Sequence, residues 1–287
     1  MVAMAIGKRL ATAGVVALAA ALSPLHPARA VDLDRYALTF AEEFDGFDRR
    51  SETRPQGRWD TMFVRFNVRR LPDNKEAQVY ADPDFKGTAP DTLGVNPFSI
   101  KDGVLTVEAA PADRFRVLPY VQALPYTSGM ISTERSFAQR YGYFEMRARL
   151  PVGRGLWPAF WMLSTSGRWP PEIDVFESLG HETGKVYMTA HQPKGKMSEA
   201  KLDVAGWHTY GVEWTAETIT WIIDGVEVKR EPNRIHEPMY LIANLAVGGE
   251  GSWPGAPDPA TVFPARMEID HIRAYTPKPA TPEAATR

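Results

Sequence analysis

Two Asp-Gly pairs, Asp102-Gly103 and Asp224-Gly225, each lie between runs in which apolar and polar residues alternate. Asp-Gly suits a two-residue hairpin turn, because both central positions of that turn need positive φ. Residues 98–107 and 218–228 therefore predict two antiparallel hairpins. Residues 143–150 alternate as cleanly. Phe144, Met146, Ala148 and Leu150 share one face, and Tyr143, Glu145, Arg147 and Arg149 share the other. No long stretch carries a helical period. The 22 glycines and 24 prolines of the 287 residues punctuate short segments throughout. The expected fold class is all-β: a sandwich or jelly roll of two stacked antiparallel sheets, running as one domain. There is no cysteine, which excludes disulfides, thiolate metal sites and a cysteine nucleophile. Stability must come from a core, and this length can bury a large one.

The ends of the chain read differently from the body. Lys8 and Arg9 precede an apolar, Ala-rich run over 10–22, and Ala28-Arg29-Ala30 follows. That pattern predicts a secretory signal peptide over 1–30, cut near Ala30. Its apolar run is too short to span a bilayer. A secreted protein, extracellular or periplasmic, is expected, with a body at 31–277 and a Pro-rich flexible tail at 278–287. The formal net charge of −2 grows more negative once the leader's cations go, which argues against a nucleic-acid partner. A monomer without membrane attachment is expected.

Residues 171–178 read Pro-Glu-Ile-Asp-Val-Phe-Glu-Ser. Their β-branched and aromatic filling predicts a strand. Alternation puts Glu172 and Asp174 on one face, with Glu177 on the other. One extra residue, a β-bulge at Val175-Phe176, would return Glu177 to the face of the first two. Packing gives no reason for three acids on one face of a buried strand. A water-facing acidic edge and a set of cation ligands are the plainer readings.

Sugar rings need flat apolar surfaces with planar polar groups beside them. Trp157 and Trp161 immediately precede the acidic segment, Trp169 lies three residues before Glu172, and Trp253 sits in a Gly/Pro-rich loop. Trp214 and Trp221, in alternating runs, read as core. Asn74, Glu76 and Gln78 occupy alternate positions on what could be a substrate-facing strand or simply a protected edge. Arg65, Arg69, Arg70 and Lys75 read as a solvated face. His191 follows the acidic strand at hairpin distance, where it could orient a carboxylate or be structural.

These segments resemble glycoside hydrolase family 16, the laminarinase-like and exopolysaccharide-degrading endo-β-glycanases. Glu172-Ile-Asp-Val-Phe-Glu177 is similar to the family's bulged signature. Phe40-Ala-Glu-Glu-Phe-Asp-Gly, Tyr126-Thr-Ser-Gly-Met-Ile-Ser-Thr and Tyr141-Gly-Tyr-Phe-Glu-Met-Arg match in order. So do Leu156-Trp-Pro-Ala-Phe-Trp-Met-Leu, Trp207-His-Thr-Tyr-Gly-Val-Glu-Trp, Asn244-Leu-Ala-Val-Gly-Gly and Met267-Glu-Ile-Asp-His-Ile-Arg-Ala-Tyr. The resemblance implies a jelly roll with a substrate groove on its concave face. It implies Glu172 as nucleophile, Asp174 as its helper and Glu177 as general acid/base. Asn74, Glu145, Arg147, Asn244 and Trp253 match groove-lining positions, and Trp157, Trp169 and His191 join them as expected substrate contacts. Trp169 departs from the pattern, since Pro170-Pro171 intervene. No catalytic cofactor is implied. A structural calcium is, held on the convex side by Glu43, the Gly103 carbonyl and Asp270; the plainer reading pairs Asp270 with Arg273 or a backbone amide.

Retaining hydrolysis needs two carboxyl groups about 5–5.5 Å apart. Carboxylates so close cannot all ionise easily. Glu177 is expected to keep the proton, Glu172 to stay charged, and Asp174 to share a proton with the nucleophile. The expected activity is hydrolysis of β-1,3 and/or β-1,4 bonds in a glucan or bacterial exopolysaccharide. A non-catalytic carbohydrate-binding jelly roll and a transglycosylase are the competing readings.

Overall fold

A computed structural model describes residues 31–51 and 54–279. The expected signal peptide and residues 280–287 of the expected tail lie outside the described residues. The strands, in chain order, begin with β1 (Tyr36–Glu42), β2 (Gln78–Tyr80), β3 (Phe98–Lys101), β4 (Val104–Pro111), β5 (Tyr126–Ser128) and β6 (Met130–Ser132). Next come β7 (Gly142–Arg149), β8 (Leu156–Ser164), β9 (Glu172–Glu177), β10 (Lys185–His191) and β11 (Ser198–Lys201). The last are β12 (His208–Trp214), β13 (Thr218–Ile223), β14 (Val226–Pro232), β15 (Met239–Val247) and β16 (Ala265–Pro277).

They form two sheets. One has ten strands in the order β14-β13-β12-β7-β16-β4-β5-β2, with β1 beside β16 and β3 beside β4. The other has six, in the order β11-β10-β9-β8-β15-β6. Among these strands only β2 and β5 pair in parallel; the rest are antiparallel, and neither sheet closes on itself. Both Asp-Gly hairpins form where the sequence places them. Asp102 and Gly103 take φ of 52° and 74°, and Asp224 and Gly225 take 50° and 79°, the mirror-image turn geometry that glycine and aspartate tolerate.

The main core lies between the sheets. Phe144, Met146, Ala148 and Leu150 meet Phe160, Met162, Ile173 and Phe176 there. Trp214 and Trp221 are fully buried, as their alternating contexts imply. Each large apolar side chain buried this way contributes about 1.5–3 kcal/mol, enough to hold both sheets without cross-links. Along β8 and β15 the residues that alternate with this core point away from the ten-stranded sheet, onto the open face of the six-stranded one. Among the described residues no helix is long and apolar enough to cross a membrane.

Candidate active site

β9 carries its acids on that open face. The pairing with β8 runs Phe160 to Phe176 and then Trp161 to Asp174. The pairing with β10 runs Tyr187 to Glu177 and then Thr189 to Asp174. Both neighbours skip one residue on β9 at Val175, which is the expected bulge. Ile173, Val175 and Phe176 enter the core, while Glu172, Asp174 and Glu177 line a groove of about 770 Å³. Without the bulge, strict alternation would send Glu177 into the core.

β8 supplies the groove with Trp157 and Trp161, and β15 with Tyr240 and Asn244. Trp157 donates its indole N–H to Glu177 Oε1 at 3.0 Å, and Trp169 donates to Glu172 Oε2 at 3.0 Å. His191, paired across the ladder with Glu172, brings Nε2 to 3.3 Å from Glu172 Oε1 and 3.0 Å from Asp174 Oδ2. Trp161 donates to Asn244 Oδ1 at 2.7 Å, and Asn244 donates to the Tyr80 hydroxyl at 3.0 Å, so the amide's orientation is fixed from both ends. Trp169 is 64% exposed and Trp253 40%, and both line the groove together with the acids. Trp253 rests edge-on against Trp157, with ring centroids 5.7 Å apart.

The electrostatics follow from burial. Asp174 is 2% exposed, and burial followed by the charge of Glu177 pushes its carboxyl well up. Glu172 also rises, through burial and then Asp174, while His191 and the Trp169 N–H pull it back. Burial and the charge of Glu172 lift Glu177 to about 7, against the Trp157 hydrogen bond. The cluster cannot hold three full negative charges. A site resting near neutrality with its protons shared has both a proton donor and a nucleophile available. The ligand atoms of Glu172, Asp174 and His191 lie within 4.8 Å of one another, so these three are also the described residues best placed to approach a cation.

Asn74, Trp157, Trp169, His191, Asn244 and Trp253 all line the groove. Glu145 and Arg147 do not, which corrects the expectation that they would. They project from β7 on the outer face of the ten-stranded sheet, because their neighbours Phe144, Met146 and Ala148 fill the space between the sheets. There Glu145 accepts a hydrogen bond from the Tyr275 hydroxyl at 3.1 Å. Arg147 pairs with Asp270 at 3.1 Å and lies over the Trp207 ring. The same pairing replaces the expected Asp270–Arg273 contact: Arg273 instead makes two hydrogen bonds of 2.7 Å to Glu43.

For a calcium at Glu43, Gly103 and Asp270, the oxygens left by these ion pairs are the two main-chain carbonyls and part of the Asp270 carboxylate, whose hydrogen bonds run to Oδ2. The Glu43 carbonyl lies against Gly103. Such hard oxygens suit calcium, although Glu43 could contribute its carboxylate only by releasing Arg273.

Some groove residues escape the sequence reading. Tyr240 and Thr189 sit on strands whose alternation is legible, and counting outward from the core residues would have found them. Glu76 was legible as a polar edge residue but not as a buried one. It accepts from the Leu71 N–H at 2.7 Å and the Gln78 amide at 2.8 Å. Burial raises its carboxyl to about 7.

Comparison with known proteins agrees with this geometry. The model of glycosyl hydrolases family 16 matches residues 92–273. Endo-1,3-1,4-beta-glycanase ExsH of Rhizobium meliloti (strain 1021) is 42% identical over 258 residues, covering 86% of this chain and 53% of ExsH. Endo-1,3-1,4-beta-glycanase EglC of the same organism is 40% identical, covering 85% of this chain and 53% of EglC. The chain thus spans about half the length of these two relatives. The catalytic domain of an endo-1,3-beta-glucanase (laminarinase) from Thermotoga petrophila RKU-1 superposes with a TM-score of 0.68 at 30% identity, over 85% of this chain and 99% of that one. With the acids, the bulge and both sheets in the same arrangement that the sequence signature implies, the chain belongs to glycosyl hydrolases family 16.

Proposed function

We propose that residues 31–277 form a retaining endo-β-glycanase that hydrolyses β-1,3 and/or β-1,4 bonds of a glucan or bacterial exopolysaccharide. One observation carries the reading: a single bulged strand turns Glu172, Asp174 and Glu177 to the same groove, each acid within reach of a tryptophan or histidine. The names of ExsH and EglC, endo-1,3-1,4-beta-glycanases, support the linkage class.

Glu172 attacks the anomeric carbon while Glu177 gives its proton to the leaving oxygen, so the glycosidic bond breaks as an ester to Glu172 forms. Ester formation removes the charge of Glu172, which is one of the two influences raising Glu177. Glu177 then becomes the stronger acid's conjugate base that the second step needs, and takes a proton from water as water displaces the sugar. Asp174 passes its proton toward Glu172 as that carboxylate leaves. His191 and Trp169 orient Glu172. Exposed rings of Trp169 and Trp253 provide the sugar platforms.

New reducing ends from laminarin or mixed-linkage glucan, with the β-anomer appearing first by NMR, are the expected result. Release of the α-anomer would remove the retaining mechanism, and binding without cleavage would leave a carbohydrate-binding jelly roll. We place the leader at 1–30, export and a monomeric state in the same proposal; amino-terminal sequencing and light scattering of the exported protein test them. Calcium at the Glu43 and Gly103 carbonyls and Asp270 is proposed as structural only. Chelator should lower the melting temperature and leave turnover at moderate temperature unchanged, and identical melting curves with and without chelator would remove the site.

A further inference from the structure

The bulge that aims Glu177 also breaks the β9 ladder, and what repairs it comes from the opposite sheet. Trp221, on β13, is fully buried and donates its indole N–H to the Asp174 carbonyl at 2.7 Å. Asp174 is the residue at which the register slips on both neighbours. A buried carbonyl deprived of its ladder partner is unfavourable unless another donor reaches it.

A second donor arrives beside the first. Lys229, on β14, has a side chain only 7% exposed, with Glu231 3.3 Å from its ammonium. Its Nζ lies 4.0 Å from the centroid of the Trp221 ring and donates to the Met188 carbonyl at 3.1 Å. On β10, Met188 falls between Tyr187 and Thr189, opposite the bulge. One main-chain carbonyl at the irregularity on β9, that of Asp174, and one opposite it on β10, that of Met188, are therefore each held by one member of a stacked tryptophan–lysine pair.

We propose that Trp221 is a positioning residue for the carboxylate strand, braced by Lys229: its N–H fixes the peptide after Asp174, and so the angle at which Asp174 and Glu177 enter the groove. Neither residue lines the groove or touches substrate. The inference rests on the glycanase reading for its kinetic consequence, but its structural content stands on the hydrogen bonds alone. A displacement of about 1 Å in a reacting group can lower rate on the order of a hundredfold while leaving remote binding contacts intact. Losing the Trp221 N–H should therefore act on kcat far more than on KM.

The test compares two tryptophans that undergo the same chemical change. Trp214 is also fully buried, and donates its N–H to the Ile235 carbonyl at 3.2 Å, away from β9. Trp221→Phe is expected to lower kcat on a β-glucan by about tenfold or more with KM within about twofold, and to speed amide exchange across 174–177. Trp214→Phe should lose comparable stability and keep kcat. Lys229→Met should give a smaller fall in kcat, about threefold, in the same direction. If Trp221→Phe does not fold, benzothienylalanine incorporated at position 221 keeps the ring shape and removes only the N–H. Equal kcat for the two phenylalanine variants, or unchanged exchange at 174–177, would overturn the proposal. A wild-type protein that cuts no β-glucan would instead overturn the glycanase reading, leaving the exchange measurement to decide the positioning claim.

Discussion

The two sheets each carry a row of acids on the face turned away from the main core, and the rows behave in opposite ways. On the outer face of the ten-stranded sheet Glu43 pairs with Arg273, Asp270 with Arg147 and Glu268 with Arg149. There the hydrogen bonds of Arg273 hold Glu43 below the usual carboxylate range. Burial works to raise Glu145, yet the hydrogen bonds and charge of His271, with Tyr275 and Tyr143, hold it down. Among the described residues no arginine pairs with Glu172, Asp174 or Glu177 on β9, and burial plus mutual repulsion drives all three up. Both rows look alike as acids on alternating strands. What separates the two rows is whether arginine or histidine partners outweigh burial and mutual repulsion.

The strongest way to break this comparison is to neutralise one acid from each row. Glu172→Ala should lose activity by on the order of 10⁴-fold or more, with azide restoring part of it as a product of inverted configuration. Glu145→Gln should keep kcat within about twofold and lower only the melting temperature. Comparable kinetic losses from both would mean the outer row takes part in catalysis.

Next comes the proton donor. Glu177→Gln should cost about 10²- to 10⁴-fold on polysaccharide and much less on substrates with activated leaving groups. In the wild type the acid must be protonated, so kcat/KM should fall as pH rises through about 7, the value to which burial and Glu172 lift Glu177. A basic limb that persists unchanged in Glu177→Gln would assign the proton to another group.

Glu76 sharpens the comparison in stability instead of rate. Its carboxyl, raised from 4.5 to about 7, binds its proton more tightly folded than unfolded. Its contribution is thus fully present below pH 4.5 and is lost as pH rises through about 7, by about 3 kcal/mol. Glu76→Gln should flatten the denaturation midpoint between pH 4.5 and 7, and an unaltered slope would show that Glu76 is already ionised.

The smallest effect belongs to the outer row. Glu43 and Arg273 have side chains 45% and 32% exposed, so Arg273→Met should cost about 1 kcal/mol or less. Glu43 has a lowered folded value, so its share is present at neutral pH and lost as pH falls through the acid range, the reverse of Glu76. Denaturation of Arg273→Met at pH 7 and pH 3 measures the difference, which should shrink at the lower pH.

Much of this was legible because period and turn chemistry are local. The Asp102-Gly103 and Asp224-Gly225 turns, the alternation of β7 and the bulge between Asp174 and Glu177 each follow from a few adjacent residues. The faces were harder. Alternation already turned Glu145 and Arg147 away from Phe144 and Met146, but it could not say which sheet β7 would join, and the family resemblance placed them in the groove. The burial of Glu76, whose β-bridge partner is Gly248, and the cross-sheet reach of Trp221 to Asp174 depend on residues far apart in sequence, for which no sequence period exists.

 The Trp221–Asp174 contact joins residues 47 apart in sequence, and only the stacked sheets bring them together.

The central claim is that Glu172 is the carboxylate that bonds to sugar and Glu177 the one that moves the proton. Trapping the covalent intermediate tests it most directly. A 2-deoxy-2-fluoro β-glucoside with an activated leaving group forms the ester quickly and hydrolyses it slowly, so the adduct can be mapped by peptide mass spectrometry. The account predicts one sugar on Glu172, formed in the wild type and in Glu177→Gln and absent from Glu172→Ala. An adduct on Asp174 or Glu177, or turnover to an inverted product with no adduct at all, would contradict it.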